Sequence, residues 1–299
     1  MVRRIASWLR THPALGRASL ALTPNLPITL NVRPIGPFRV RLGRDRRFWL
    51  RHPLEHERVP LGGLQRLIRP GDTVYDIGAN LGLYSRFIVQ AFGAARVIAF
   101  EPMRGNLPDL EANLRLGRIA DRVRVFPVAL ADHEADELLQ TDDLASGSAV
   151  LDSVTKGDAC ETRRNYKMTP LTERVHVVPL DALMERESLP PPNVLKIDVE
   201  GAEGMVLRGA AGTIERHRPR MMIELHGVST AREVLPLLER WGYVVFCRGF
   251  SNDRAWWGRV RGADAEGEGI EHYHFHMLFA AESESVFEGG LVPFQDDGV

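Results

Sequence analysis

Residues 74–85 read VYDIGANLGLYS. Val74, Tyr75 and Ile77 make a short buried strand, the glycines of GANLG make a tight turn, and Leu83, Phe87, Ile88 and Phe92 then fall at helical spacing. The stretch predicts a strand, a loop and a helix in succession, the unit from which ligand-binding α/β sheets are built. Gly78 and Gly82 remove side chains where a backbone must come close to something. Asp76 sets a carboxylate at the strand's carboxyl end, and Asn80 adds a donor and an acceptor at the loop tip. In an open α/β sheet, ligands bind at that end.

The loop's charge narrows the ligand. A dinucleotide places a pyrophosphate over the first helix and calls for G-x-G-x-x-G with bare amides. This loop has two glycines four residues apart, and Asp76, two residues before the first, would repel a phosphate. S-adenosylmethionine, a cationic sulfonium with an amino-acid end, would find that carboxylate attractive. Residues 96–101, RVIAFE, read as the next strand, and Glu101 follows Gly78 by 23 residues, where a terminal acid can accept both ribose hydroxyls. Both cofactor classes use such an acid, so Glu101 alone does not choose between them.

The 299 residues fit one α/β domain with an N-terminal extension, and 44% apolar residues supply one sizeable core. The net charge of −1 hides an asymmetry: residues 1–60 carry twelve arginines against Asp45, Glu55 and Glu57, leaving the extension basic and the body acidic. Such a stretch can meet nucleic acid, anionic lipid or an acidic partner. The simpler reading pairs its arginines with the protein's own acidic surface, so no nucleic-acid partner is expected. Cys160 and Cys247 are too few for a disulfide framework or a zinc cage, which fits a reducing, cytoplasmic setting. No apolar run approaches ~18 residues, and the start, MVRRIASWLR, has neither an apolar core nor a cleavage site. No stable membrane association is expected, although Ile5, Trp8 and Leu9 could form a short amphipathic helix that touches a membrane.

Along the chain, residues 1–60 read as an added layer: a short helix, a segment punctuated by Pro24, Pro27, Pro34 and Pro37, then an edge strand over residues 38–42. After the turn signal at residues 69–72, strands are expected at 74–77, 96–101, 123–128, 194–198, 220–225, 243–247 and 275–280, with helices between most of them. Asn106 is expected to cap the helix that carries Leu107, Leu110 and Leu114. Small residues after the third strand leave room for a flat adenine. Asp132 there could accept from its amino group, or be an ordinary turn aspartate. Residues 141–172 are polar and aperiodic, and read as a lid, an acceptor-binding segment or disorder.

A second constellation lies at residues 194–203, VLKIDVEGAE. A buried strand end delivers Lys196, Asp198 and Glu200 at period two, Gly201 lets the chain turn, and Glu203 falls in the first turn of a helix, where an acid suits the dipole. Residues 220–226, RMMIELH, repeat the theme with Glu224 and His226. Both pairs are expected to open onto the same edge as Asp76 and Glu101. A hydroxyl acceptor attacking a sulfonium methyl must lose its proton, and a histidine near its ordinary pKa of ~6.5 or a carboxylate can take it. The same groups form an acceptable set for Mg²⁺ or a transition metal, and spacing does not separate base from metal ligand. His272, His274 and His276 read as one face of an exposed edge strand, and Trp256 and Trp257 as loop residues that stack on an acceptor or pack beneath the loop.

Taken together, VYDIGANLGLYS, AFEP (99–102), VALAD (128–132), LDAL (180–183), KIDVEGAE with the following VLRGA, and IELHG (223–227) resemble the FkbM-type S-adenosylmethionine-dependent methyltransferases from about residue 72 to 243. The resemblance implies a class I, Rossmann-like α/β fold, mostly parallel with a reversed last strand, over residues 61–299. It also implies methyl transfer, typically to an oxygen of a natural product or sugar. By position, Asp76, Gly78, Asn80 and Gly82 would line the methionine and sulfonium end, Glu101 the ribose and Asp132 the adenine. Asp198, Glu200, Glu224 and His226 would face a small-molecule or saccharide acceptor. The placement of those acids is similar to that of the metal-binding acids of catechol-type methyltransferases, which keeps a divalent metal open. Two other readings stand beside this one: a nicotinamide-dependent oxidoreductase, and a nucleotide-binding scaffold without catalysis. Oligomeric state is not legible.

Overall fold

The computed structural model describes residues 23–50, 54, 56–141, 146, 147, 149–155, 169, 171–251, 254–260 and 273–288. The expected N-terminal helix, Cys160 and His272 lie outside them. The strands are β1 (Pro27–Val32), β2 (Gly36–Arg41), β3 (Thr73–Ile77), β4 (Arg96–Phe100), β5 (Val123–Phe126), β6 (Ala129–Leu130), β7 (Ala135–Thr141), β8 (Val150–Leu151), β9 (Leu171–Val178), β10 (Val194–Ile197), β11 (Arg220–Glu224), β12 (Val244–Ser251), β13 (Arg254–Val260) and β14 (Tyr273–Ala281). The helices are α1 (Arg46–Leu50), α2 (Arg58–Leu67), α3 (Leu83–Gln90), α4 (Leu107–Leu116), α5 (Asp152–Thr155), α6 (Leu180–Glu187), α7 (Glu203–Gly209), α8 (Ala211–His217) and α9 (Val228–Arg240).

The main sheet has eight strands in the order β13-β12-β14-β11-β10-β3-β4-β5. Strands β11, β10, β3, β4 and β5 are parallel to one another, and β14 runs antiparallel to both β11 and β12. This is the class I architecture with its reversed last strand, as the sequence predicts. Alternation along the strands feeds two cores. Val74, Val97, Val194, Met222 and Phe279 face α2, α3 and α4, while Tyr75, Ile98, Leu195, Met221 and Leu278 face α6 to α9. Both faces are covered, which is why these strands read as nearly continuous apolar runs. Chain order reverses between β3 and β10, and a ligand crevice is expected at that switch point.

Several expectations are corrected. The segment before residue 60 contributes a β1–β2 hairpin rather than a single edge strand. The hairpin is pinned to α4: Asn113 exchanges two hydrogen bonds with the Arg39 backbone, and buried Asp109 receives Arg39, Arg41 and Arg44 at 2.8, 2.5 and 3.3 Å. Those arginines thus pair with the protein's own acid. The expected strand at 123–128 stops at Phe126, and Ala129 and Leu130 cross into a second, four-stranded sheet, β6-β9-β7-β8, that no periodicity had announced. Part of the polar insert is ordered as β8 and α5. Trp256 and Trp257 lie in strand β13 rather than a loop, and β14, which holds His274 and His276, is interior to the sheet rather than at its edge. Among the described residues no helix is long and apolar enough to cross a membrane.

Candidate active site

A cavity of about 290 Å³ opens at the carboxyl ends of β3, β4, β10 and β11. Of the predicted residues, Gly78, Asn80, Glu101, Asp198, Glu200, Glu224 and His226 line it; Asp76, Gly82 and Asp132 do not.

The GANLG loop forms because the Gly78 and Ala79 amides both donate to the Phe100 carbonyl at 3.0 Å, folding the end of β3 over the end of β4. Gly78 is required for a reason unrelated to a ligand. Its φ is +79°, and an added Cβ would stand 1.8 Å from the Asp198 carbonyl oxygen, so glycine lets the ends of β3 and β10 meet. Gly82, at φ +80°, serves as the left-handed entry to α3 beneath Leu110 rather than as a cavity wall. Asn80 also holds a left-handed conformation, φ 50°, and its Oδ1 is buried without a hydrogen-bond partner among the described residues. Its backbone N–H donates to Glu101 Oε2 at 2.7 Å. Glu101 Oε1 accepts the Met103 amide at 2.8 Å and Asn106 Nδ2 at 3.2 Å. Burial nevertheless pushes Glu101 up to about 7, against those donors. Asn106 precedes α4 without a side-chain cap; its amide instead ties Glu101 to the Ser146 carbonyl.

Asp76 corrects the expectation of a carboxylate facing a sulfonium. It is fully buried, accepting the Ser85 hydroxyl at 2.7 Å and pairing with Lys196 at 3.2 Å. The registry that sets Lys196 beside Asp76 across β10 and β3 makes this pair. Lys196 also donates to the Gly78 carbonyl at 2.8 Å and lies 3.5 Å from Asp198. Burial pulls its pKa down, but Asp76 and Asp198 outweigh burial, and the net shift is upward. Asp132 is corrected too. Gly209 has no side chain, so Ala131 packs directly on α7, and the next residue is delivered to Arg208 at 2.7 Å, away from the cavity.

Asp198, Glu200, Glu224 and His226 converge as expected, but Glu200 arrives by a turn rather than by period two: β10 ends at Ile197 and Glu200 is left-handed at φ 53°. His226 Nε2 lies 3.8 Å from Asp198 and 3.6 Å from Glu200. Its Nδ1 is 2.7 Å from Glu203 Oε1. Glu203, read from the sequence as a dipole-favoured acid, is fully buried and orients this ring; a first-turn position carries no signal for that. Burial opposes a charge on His226, but Glu203, Glu200 and Asp198 prevail and raise it to about 10, which corrects the expectation of a histidine near its ordinary value. Burial and Asp198 raise Glu224 to about 8. The sequence also gave no sign that Phe48, His56, Glu57 and Pro60, from the segment before the sheet, help line the cavity, with Glu57 accepting the Tyr84 hydroxyl at 2.7 Å.

A doubly covered, mostly parallel sheet with a reversed strand, and a cavity at its switch point between a glycine loop and the buried Glu101, define a class I methyltransferase architecture. The chain belongs to the FkbM methyltransferase family, whose Methyltransferase FkbM domain matches residues 76–245. It is 28% identical over 221 residues to the 31-O-demethyl-FK506 methyltransferase FkbM of Streptomyces tacrolimicus, covering 67% of this chain and 78% of that one. It is 27% identical over 252 residues to the AMB antimetabolite synthetase AmbE of Pseudomonas aeruginosa, covering 74% of this chain but 11% of AmbE. Against Methyltransferase 1 of Beauveria bassiana it is 27% identical over 148 residues, 47% of this chain and 59% of the other. Among solved structures, methyltransferase FkbM from Methylobacillus flagellatus aligns with 18% identity and a TM-score of 0.43, covering 72% of this chain and 48% of that one.

Proposed function

We propose that the chain is an S-adenosylmethionine-dependent O-methyltransferase acting on a small, hydroxyl-bearing molecule such as a natural product or sugar. One observation carries this: a single cavity joins a nucleoside-type end to an acid-rich end. At the first end are Glu101, apolar walls from Val128, Ala129 and Leu130, and the orphaned Asn80 Oδ1, an acceptor suited to a cofactor's ammonium or hydroxyl. At the other are Asp198, Glu200, Glu224 and His226.

Bound there, S-adenosylmethionine supplies an electrophilic methyl group on a sulfonium. Glu101 accepts the ribose hydroxyls, and Asn80 orients the amino-acid end. The acidic end holds an acceptor hydroxyl in line and keeps a carboxylate within reach of its proton. In the balanced reaction the acceptor oxygen forms a bond to the methyl carbon and the carbon–sulfur bond breaks with its electron pair on sulfur. The hydroxyl proton passes to the acidic set and on to solvent. The same reading divides the chain at residue 60, with 61–299 as the methyltransferase domain and 1–60 as its cap, working in the cytoplasm. The similarity to a relative named for O-methylation of FK506 supports an oxygen acceptor.

Calorimetric titration of the EDTA-treated full chain with S-adenosylhomocysteine tests the reading. Saturable binding that Glu101→Gln and Asn80→Ala weaken more than tenfold is expected. A folded wild-type sample that binds NADH and not S-adenosylhomocysteine would support the oxidoreductase instead, and one that binds neither would favour the scaffold.

A further inference from the structure

The acidic end of the cavity has the form of a metal site. We propose that Asp198, Glu224 and His226 bind one divalent cation of the Mg²⁺ or Mn²⁺ kind, with Glu203 as the positioning residue behind the histidine. The inference deepens the methyltransferase reading and concerns the same cavity.

Each of the three residues offers one ligand atom, and these atoms all lie within 4.8 Å of one another. Two ligands on opposite sides of an ion at about 2.1–2.4 Å are separated by about 4.2–4.8 Å, so the three fit around one ion with little movement. Two carboxylates and one imidazole are an oxygen-rich set, which suits Mg²⁺ or Mn²⁺ rather than a thiophilic ion. Three protein ligands leave positions for water and for an acceptor oxygen.

The histidine's orientation is independent support. Glu203 is fully buried and takes the Nδ1 side at 2.7 Å, while its own position is fixed by the Gly201 amide at 3.1 Å. That is the carboxylate–histidine arrangement that fixes a ligand ring, and it leaves Nε2 facing Asp198 and Glu200. Facing two carboxylates, Nε2 is held there by its own proton or by a cation lying between them. The Glu224 carboxylate, half-buried, accepts no hydrogen bond among the described residues. Among the described residues five carboxylates line the cavity (Glu57, Glu101, Asp198, Glu200 and Glu224), and the basic groups beside Asp198 and Glu200 are Lys196, shared among Asp76, Asp198 and the Gly78 carbonyl, and the His226 ring. Bound there, a divalent ion supplies a Lewis acid for an oxygen acceptor.

The test is Mn²⁺ titration of the EDTA-treated full chain, following loss of the free-ion electron paramagnetic resonance signal, with S-adenosylhomocysteine calorimetry on the same samples. About one Mn²⁺ per chain is expected, displaced by Mg²⁺. His226→Ala should weaken it at least tenfold, and Glu203→Gln, which leaves all three ligands in place, about 10–100-fold. Glu224→Gln, more conservative in shape, provides a second ligand variant if either of these fails to fold. S-adenosylhomocysteine binding without saturable Mn²⁺ binding would overturn the metal site and leave the cofactor reading standing. So would Mn²⁺ binding unchanged in both His226→Ala and Glu224→Gln. Affinity for an alkylamine in place of Mn²⁺ would assign the acidic end to a cationic acceptor and overturn the proposal.

Discussion

Alanine at Gly78 and at Gly71 separates two costs that glycine usually conceals together. Both residues are left-handed, at φ +79° and +90°, so each alanine incurs about 1–2 kcal/mol of backbone strain. At Gly71 an added Cβ meets nothing within 4 Å, and the cost ends there. At Gly78 it would lie 1.8 Å from the Asp198 carbonyl oxygen. A carbon and an oxygen in contact need about 3.3 Å, so the ends of two hydrogen-bonded parallel strands would have to part by about 1.5 Å. No rotamer relieves a clash with backbone, and overpacking of this kind adds about 3 kcal/mol. Gly71→Ala is therefore expected to lower Tm by about 2–4 °C and Gly78→Ala by about 8 °C or more, at roughly 2 °C per kcal/mol for a chain of this length. Scanning calorimetry and urea unfolding measure both. Gly78→Ala should also lose S-adenosylhomocysteine affinity in whatever fraction folds, because Asn80 and Asp198 are carried apart. Shifts agreeing within about 2 °C would refute the close approach of β3 and β10.

Three further outcomes follow from the site and its supports. Burial raises Glu101 to about 7, so its contribution favours the folded state most below an unfolded value near 4.5 and is lost as pH rises through about 7, a swing of about 3 kcal/mol. In the proposed binding mode ribose hydroxyls donate to the ionised form, so S-adenosylhomocysteine affinity measured across that window should climb with pH, by up to about tenfold per unit, and stay flat in Glu101→Gln. Lys196→Met strands the buried Asp76 carboxylate and should cost about 3–5 kcal/mol in urea unfolding, much of it recovered by adding Asp76→Leu; a loss under about 1 kcal/mol would deny the pair its structural role. Asp109→Asn leaves Arg39, Arg41 and Arg44 facing one another and should cost on the order of 2 kcal/mol, less than a fully buried pair because Arg39 and Arg41 reach solvent, with protease cutting moved to the β1–β2 hairpin.

The central sheet was legible because its signals are local. Apolar runs ending at or beside Asp76, Glu101, Asp198 and Glu224 mark strand ends, and period two then pairs Glu224 with His226, whereas a left-handed turn brings Glu200 to Asp198. What escaped was decided by partners distant in sequence. Nothing near Asp76 says that Lys196, 120 residues away, will claim it, and nothing near Asp132 announces Arg208. The four-stranded sheet was missed because β7 reads ADELLQT, whose alternation is broken by adjacent leucines and whose pairing partner β9 lies across the polar insert. Glu203 looked like a helix-start acid and is one; its second task depends on the distance to His226, which only the fold sets.

The cavity has two authorships. The end walled by Asn80, Glu101 and residues 128–130 comes wholly from the FkbM-matched stretch, whereas Phe48, His56, Glu57 and Pro60 come from chain that precedes that stretch. Substitutions at Phe48, His56 or Pro60 can therefore reshape the cavity wall without touching Gly78, Asn80 or Glu101. Two chains with identical glycine loops can thus present differently walled cavities, and a fragment cut back to residue 76 would lose those four wall residues together with the first three residues of β3.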